Sequence, residues 1–176
     1  MRPALALTLL ASLSAFPALA AVGEPSGIPP RLRAGPNEQL AFHLTGNGVN
    51  VYQCKSTVAN PNVYAWYFVA PDATLYDGSH EVARMASPNQ MEALSDTTSV
   101  SGFVRAAQSA GPNDLPWMRA SALANGDAGL FAGVTSYQRV NTRGGAAPAT
   151  GCNADNVGEE ARIAFDADFY FYRAAT

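Results

Sequence analysis

The clearest pattern in the chain lies near its C-terminal end. From Arg162 to Tyr172 apolar and polar positions alternate. Ile163, Phe165, Ala167, Phe169 and Phe171 fall on one side, and Arg162, Ala164, Asp166, Asp168, Tyr170 and Tyr172 on the other. A period of two is that of a half-buried β-strand. Weaker versions of the pattern recur upstream. Gln39 to Leu44 reads as a strand, and Thr45-Gly46-Asn47-Gly48 as a hairpin turn, because Asn-Gly supplies positive φ angles. Val49 to Cys54 is then the returning strand, with Val49 and Val51 on one face and Asn50, Tyr52 and Cys54 on the other. Val63 to Ala70 is apolar or aromatic on both faces, which predicts a central strand covered on both sides and ended by Pro71-Asp72. Thr98 to Val104 and Leu130 to Val140 read as further strands. His80 to Asp96 settles into neither period, and one or two helical turns fit between Val82 and Leu94 or between Trp117 and Leu123. Short strands punctuated by Gly, Asn and Pro predict a mainly β, single-domain fold. It is an antiparallel sandwich or barrel with at most short helices.

The N-terminus points to export. Met1-Arg2-Pro3 is a short basic start, Ala4 to Leu13 is uncharged and apolar, Pro17 breaks the run, and Ala18-Leu19-Ala20 fits a small-x-small cleavage site. Those are the parts of a signal peptide spanning 1–20. The apolar run falls short of the roughly 20 residues a membrane span needs, and no later segment is long and apolar enough. Cleavage near Ala20 places the protein in the periplasm or outside the cell. Residues 21–36, rich in Pro and Gly, form an extended lead-in, polyproline-like at Ile28-Pro29-Pro30. The single β domain occupies 37–176.

Two cysteines, Cys54 and Cys152, read as one disulfide in an oxidising compartment. Closing a loop of that length is worth about 4–5 kcal/mol of chain entropy. The two cysteines and two histidines show no metal-ligand spacing, so no metal is assigned. The formal charge is −3 with no basic block, which argues against a nucleic-acid partner. No cofactor is implied.

Several signatures fall in a fixed order: Gly48-x-x-Val51-Tyr52-x-Cys54; Trp66-x-Phe68-x-Ala70-Pro71-x-Ala73-x-Leu75; Leu115-Pro116-Trp117; Gln138-Arg139-Val140-x-Thr142-x-Gly144-Gly145-x-Ala147-Pro148-x-x-Gly151-Cys152; and Ala167-Asp168-Phe169-Tyr170-Phe171-Tyr172. In these the chain resembles a family of exported bacterial and fungal proteins known as domain of unknown function 3455. The resemblance covers most of the chain beyond the signal peptide. Some fungal members carry the label malate dehydrogenase. Gly46-Asn47-Gly48 gives that label no support, since a third Gly and a following helix are absent. Members of the family carry a His-aromatic-x-Gly-Pro-x-Trp-Glu segment, and here Arg84 to Glu92 lacks the His and the Trp. The resemblance supplies no catalytic residues.

Candidate chemistry is sparse. Asp166 and Asp168 share a predicted strand face with Tyr170 and Tyr172. Paired carboxylates there suit acid–base work or a bound cation, and aromatics beside them suit a saccharide. A solvated strand face explains the same alternation. Arg139 and Arg143 beside Gly144-Gly145 could make an anion-binding nest, or simply an ordinary Gly turn. His80 and His43 read as surface and hairpin-edge residues, and Trp66 and Trp117 as core aromatics. The sequence favours an exported, non-catalytic binding or structural domain, with a small molecule or saccharide as the class of ligand. The alternative is a hydrolase or lyase acting through the Asp166/Asp168 face.

Overall fold

The computed structural model describes residue 23 and residues 25–176. The expected signal peptide and its cleavage site lie outside the described residues. Eight antiparallel strands follow one another around a closed ring: β1 (Glu38–Ser56), β2 (Tyr64–Asp77), β3 (His80–Ser87), β4 (Gln90–Ala93), β5 (Ser99–Gln108), β6 (Trp117–Asn125), β7 (Val134–Gly144) and β8 (Glu160–Ala174). Each strand pairs with its chain neighbours, and β8 closes on β1 from Gln53↔Glu160 to Glu38↔Ala174. Of the sandwich and the barrel, the sheet forms the barrel. Two 3₁₀ turns, Pro30–Leu32 and Ala154–Asn156, are the helical content of the described residues, and none of it is long and apolar enough to cross a membrane.

The hairpin expected at Thr45–Gly48 does not form; β1 runs through it. The glycines there serve packing. A Cβ at Gly46 would sit 2.7 Å from the ring of Phe169, and one at Gly48 would collide with the Asp72 carbonyl oxygen and Ala73. Glycine inside a strand marks close approach as often as a turn, and here two of them let an aromatic core fit inside the barrel. The segments left open to helix, 82–94 and 117–123, are strand apart from the Pro88-Asn89 turn and Leu94 in the first. The strand expected from Leu130 begins at Val134; Leu130 and Phe131 belong to the preceding turn.

β2 departs from expectation in two ways. It passes through Pro71 to Asp77, and its first half is not covered on both sides: Tyr67, Phe68 and Val69 are exposed. Residues 64–72 pair only with β1, which makes them an edge, where a proline is tolerated.

β8 packs as its alternation requires. Phe165, Ala167, Phe169 and Phe171 point into the barrel and are buried. One end is plugged: Phe42 stacks on Phe171 at 4.7 Å between centroids, and Phe131, in the β6–β7 loop, meets Phe171 at 5.5 Å. Outside the barrel the lead-in packs against the wall. Pro29 is extended, but Pro30–Leu32 turns, and Ile28 and Leu32 bury against Val140 beside Ala106, Trp117 and Tyr170. Gln138 Nε2 donates to the Leu32 carbonyl at 2.6 Å. Cys54 at the end of β1 and Cys152 in the β7–β8 loop form a disulfide, with S–S 2.01 Å and Cα–Cα 5.4 Å.

Candidate functional site

The mouth opposite the aromatic plug holds a cavity of about 320 Å³. Most strands and two loops contribute to it. β1 supplies Asn50 and Tyr52, β2 Phe68 and Pro71, β3 Met85, the β3–β4 turn Asn89, β5 Val104 and Ala107, and the β5–β6 loop Leu115 and Pro116. Met118 (β6), Arg139 (β7) and Phe165 (β8) complete it. The walls are mainly apolar, and Arg139 is the one charged side chain among them.

Arg139 points inward because it pairs across the ladder with Phe169, whose ring is inside. One of its terminal nitrogens donates to the Pro116 carbonyl at 3.1 Å. Its Nε is buried and has no hydrogen-bond partner among the described residues. No carboxylate lines the cavity, and none forms an ion pair with Arg139 among the described residues. Burial pulls its pKa below the ordinary guanidinium value, partly offset by the hydroxyls of Tyr137 and Tyr52. Burial also raises the Tyr52 phenol, and pushes that of Tyr137 up to about 12. The Tyr137 hydroxyl is buried without a partner.

Asn50 and Tyr52 are fixed by a single acceptor. The Gly145 carbonyl takes a bond from Tyr52 Oη at 2.6 Å and from Asn50 Nδ2 at 3.1 Å. Gly145 has φ +83, and a Cβ on it would press on Leu115 and Phe165 at 2.8 Å. The glycine therefore holds the rim loop close enough to orient two polar groups of the mouth.

Arg143 does not join Arg139. Residue parity would put both on one face, but β7 gains a residue between Val140↔Asp168 and Arg143↔Asp166. Asn141, at φ +51, sits in this bulge. Arg143 consequently faces out, where it shares a shallow depression of about 350 Å³ with Asp166, Asp168, Asn141, Thr45 and Asn47. Asp168 is held there on both sides, by Asn141 Nδ2 at 2.7 Å and by His43 Nε2 at 3.0 Å. His43 is thus a mid-strand partner of Asp168, not a hairpin-edge residue. Tyr170 stacks near His43, with centroids 4.5 Å apart, and burial and the Asp168 charge raise its pKa. Tyr172 does not share the depression: it is buried, and its hydroxyl donates to Gln138 Oε1 at 2.8 Å. Among the described residues no group of three or more His, Cys, Asp or Glu is placed to hold a metal.

Of the cavity's residues, Arg139 is legible in the sequence as a candidate and the others are not. The available signal was the shared face of Asn50, Tyr52 and Cys54, which does point inward, but nothing local ties those positions to Met85 or Phe165.

Fold and site together define an up-and-down β-barrel plugged at one end, with a largely apolar cavity at the other. The chain belongs to the family described as protein of unknown function (DUF3455), whose model matches residues 35–104 and 87–173. No curated protein and no solved structure matches the chain.

Proposed function

We propose that this protein is an exported, non-catalytic binding domain whose barrel mouth takes a mainly apolar ligand bearing one anionic group. Arg139 carries the reading. A guanidinium partly withdrawn from water without a carboxylate is costly, and an anion on its planar fork would offset that cost through paired, charge-assisted hydrogen bonds. Met85, Met118, Leu115 and Phe165 offer the body of the ligand a soft apolar wall. The cavity is at the lower end of the size range for small-molecule sites, which often occupy the mouths of barrels. The disulfide supports the exported part of the proposal, since such bonds persist in oxidising compartments. The outer depression, where a hydrolase or lyase would act, has less in its favour: both oxygens of Asp168 are taken by His43 and Asn141.

A thermal-shift comparison tests the proposal. Decanoate, 4-phenylbutyrate and benzoate are compared with the matched alcohols, on the wild type and on Arg139→Gln. A ligand at a hundred times its Kd adds about 2.7 kcal/mol, which moves the midpoint of a domain this size by roughly 5–10 °C. Carboxylates should shift the wild type, alcohols should not, and Arg139→Gln should lose the difference. Equal shifts by acids and alcohols, or no shift at all, would sink the proposal.

A further inference from the structure

The barrel wall is incomplete on one side of the mouth. β2 pairs with β3 only from Ala73 to Asp77, and β5 pairs with β4 only from Ser99 to Ser101. Beyond those ladders, the main chain of residues 64–72 in β2 pairs with β1 alone, and that of residues 103–108 in β5 with β6 alone. The β3–β4 hairpin between them turns back at Pro88-Asn89. Its last bond to β5 runs from the Gly102 N–H to the Asn89 carbonyl, at 2.7 Å. Two free strand edges therefore flank a notch. The cavity reaches both, through Phe68 and Pro71 on one side and Val104 and Ala107 on the other.

Free edges present rows of unpaired N–H and C=O groups, and proteins normally blunt them with charge or cover. Along these two segments Asp72 and Arg105 are the only charged residues, while Tyr67, Phe68, Val69, Phe103 and Val104 are all exposed. A ligand matched to such edges carries peptide groups at strand spacing, about 3.3 Å apart, with apolar side chains. The same cavity contains the half-buried Arg139 guanidinium, whose Nε is buried and lacks a partner. One kind of molecule satisfies both features: an extended peptide that ends in a free carboxylate.

We propose that the notch binds the C-terminal end of an apolar polypeptide as an added strand. Its main chain pairs with the free edge of β5 where β4 stops, and its terminal carboxylate lies on Arg139. The inference rests on the proposed function for the anionic group on Arg139, and adds the class of ligand.

Fluorescence anisotropy of the purified full-length chain tests it. The probe is an N-terminally labelled hexapeptide of alternating Val and Ser, closed by Leu with a free carboxylate. The free acid should bind, and unlabelled decanoate should compete. Amidating the C-terminus, or Arg139→Gln, should weaken binding at least about tenfold through loss of a charge-assisted hydrogen bond. N-methylation at alternate residues should weaken it as much by blocking the β5 edge. The amidated and N-methylated peptides need no variant protein, so the test survives if Arg139→Gln folds poorly. Undiminished binding of the N-methylated peptide, or binding of decanoate but of no peptide, overturns the inference and leaves the proposed function standing. If neither class binds, both fall. A concentration-dependent dimer in sedimentation with no peptide binding would make a second copy the occupant, and also overturns it.

Discussion

Replacing Gly46 by alanine separates two uses of glycine that a sequence cannot tell apart. Gly46 is in the middle of β1 and has no positive φ, so alanine can adopt its backbone. Taken alone, the change should stabilise the protein by about 0.4–1 kcal/mol, because alanine restricts the unfolded chain. The barrel interior opposes this. The new methyl would lie 2.7 Å from Cε2 and 3.2 Å from Cδ2 of Phe169, a ring that is fully buried and sits between Gly46 and the rest of the aromatic core. Forcing a methyl into a filled core costs about 1–3 kcal/mol, so packing wins and the net effect is destabilising. Phe169→Leu removes the obstructing ring edge at a fraction of the roughly 3–5 kcal/mol of full truncation. The double variant should then be more stable than the sum of the two singles by about 0.5 kcal/mol or more, the range found for residues in contact. Urea unfolding followed by Trp66 and Trp117 fluorescence measures all four proteins, with midpoints compared at constant slope. A Gly46→Ala protein as stable as the wild type, or strictly additive changes, would refute the packing argument.

Serine at both Cys54 and Cys152 opens a loop of sequence separation 98. It should cost about 4–5 kcal/mol by loop entropy, or roughly 10–20 °C of melting temperature. Reductant should lower the wild type similarly, and a shift within a couple of degrees would contradict the entropic account. Arg139→Met should stabilise the ligand-free protein by up to about 1 kcal/mol, read as a higher urea midpoint, since a half-buried cation with no carboxylate partner is removed; a lower midpoint would mean the guanidinium is better satisfied than its geometry indicates. Burial raises the Tyr137 phenol to about 12 from 10.0. Its neutral form is favoured in the fold, so this contribution is complete below pH 10 and is lost as pH rises from 10 through 12. Tyr137→Phe should flatten that alkaline decline in urea midpoints, and at neutral pH should be neutral or up to about 1 kcal/mol stabilising, because the hydroxyl it removes has no partner.

Legibility in the sequence followed the range of the interactions. β8 was readable because one face meets an aromatic core and the other does not, which writes a period of two directly into the chain. The disulfide was readable from a count of two. β1 was not, because Thr45-Gly46-Asn47-Gly48 carries the same letters whether glycine serves a turn or makes room for Phe169. The aromatic run of β2 suggested burial on both faces, yet Tyr67 and Val69 lie on a strand half that no β3 residue covers, a fact set by how short the β3–β4 hairpin is. The cavity was unreadable as a set, since it takes one or two residues from each of many elements. Arg139 and Arg143, grouped beside Gly144-Gly145 as a possible anion nest, are separated by one inserted residue at Asn141, a bulge with no strong local signature.

The ring also dictates an order of assembly. The strand that opens the barrel is zipped along most of its length to the strand that ends it, Glu38 to Ala174 and Gln53 to Glu160. Until the final strand is available, β1 has only β2 for company and the aromatic plug lacks Phe169 and Phe171. Contacts so distant along the chain form slowly. A polypeptide built in this way cannot close its ring until its last residues arrive.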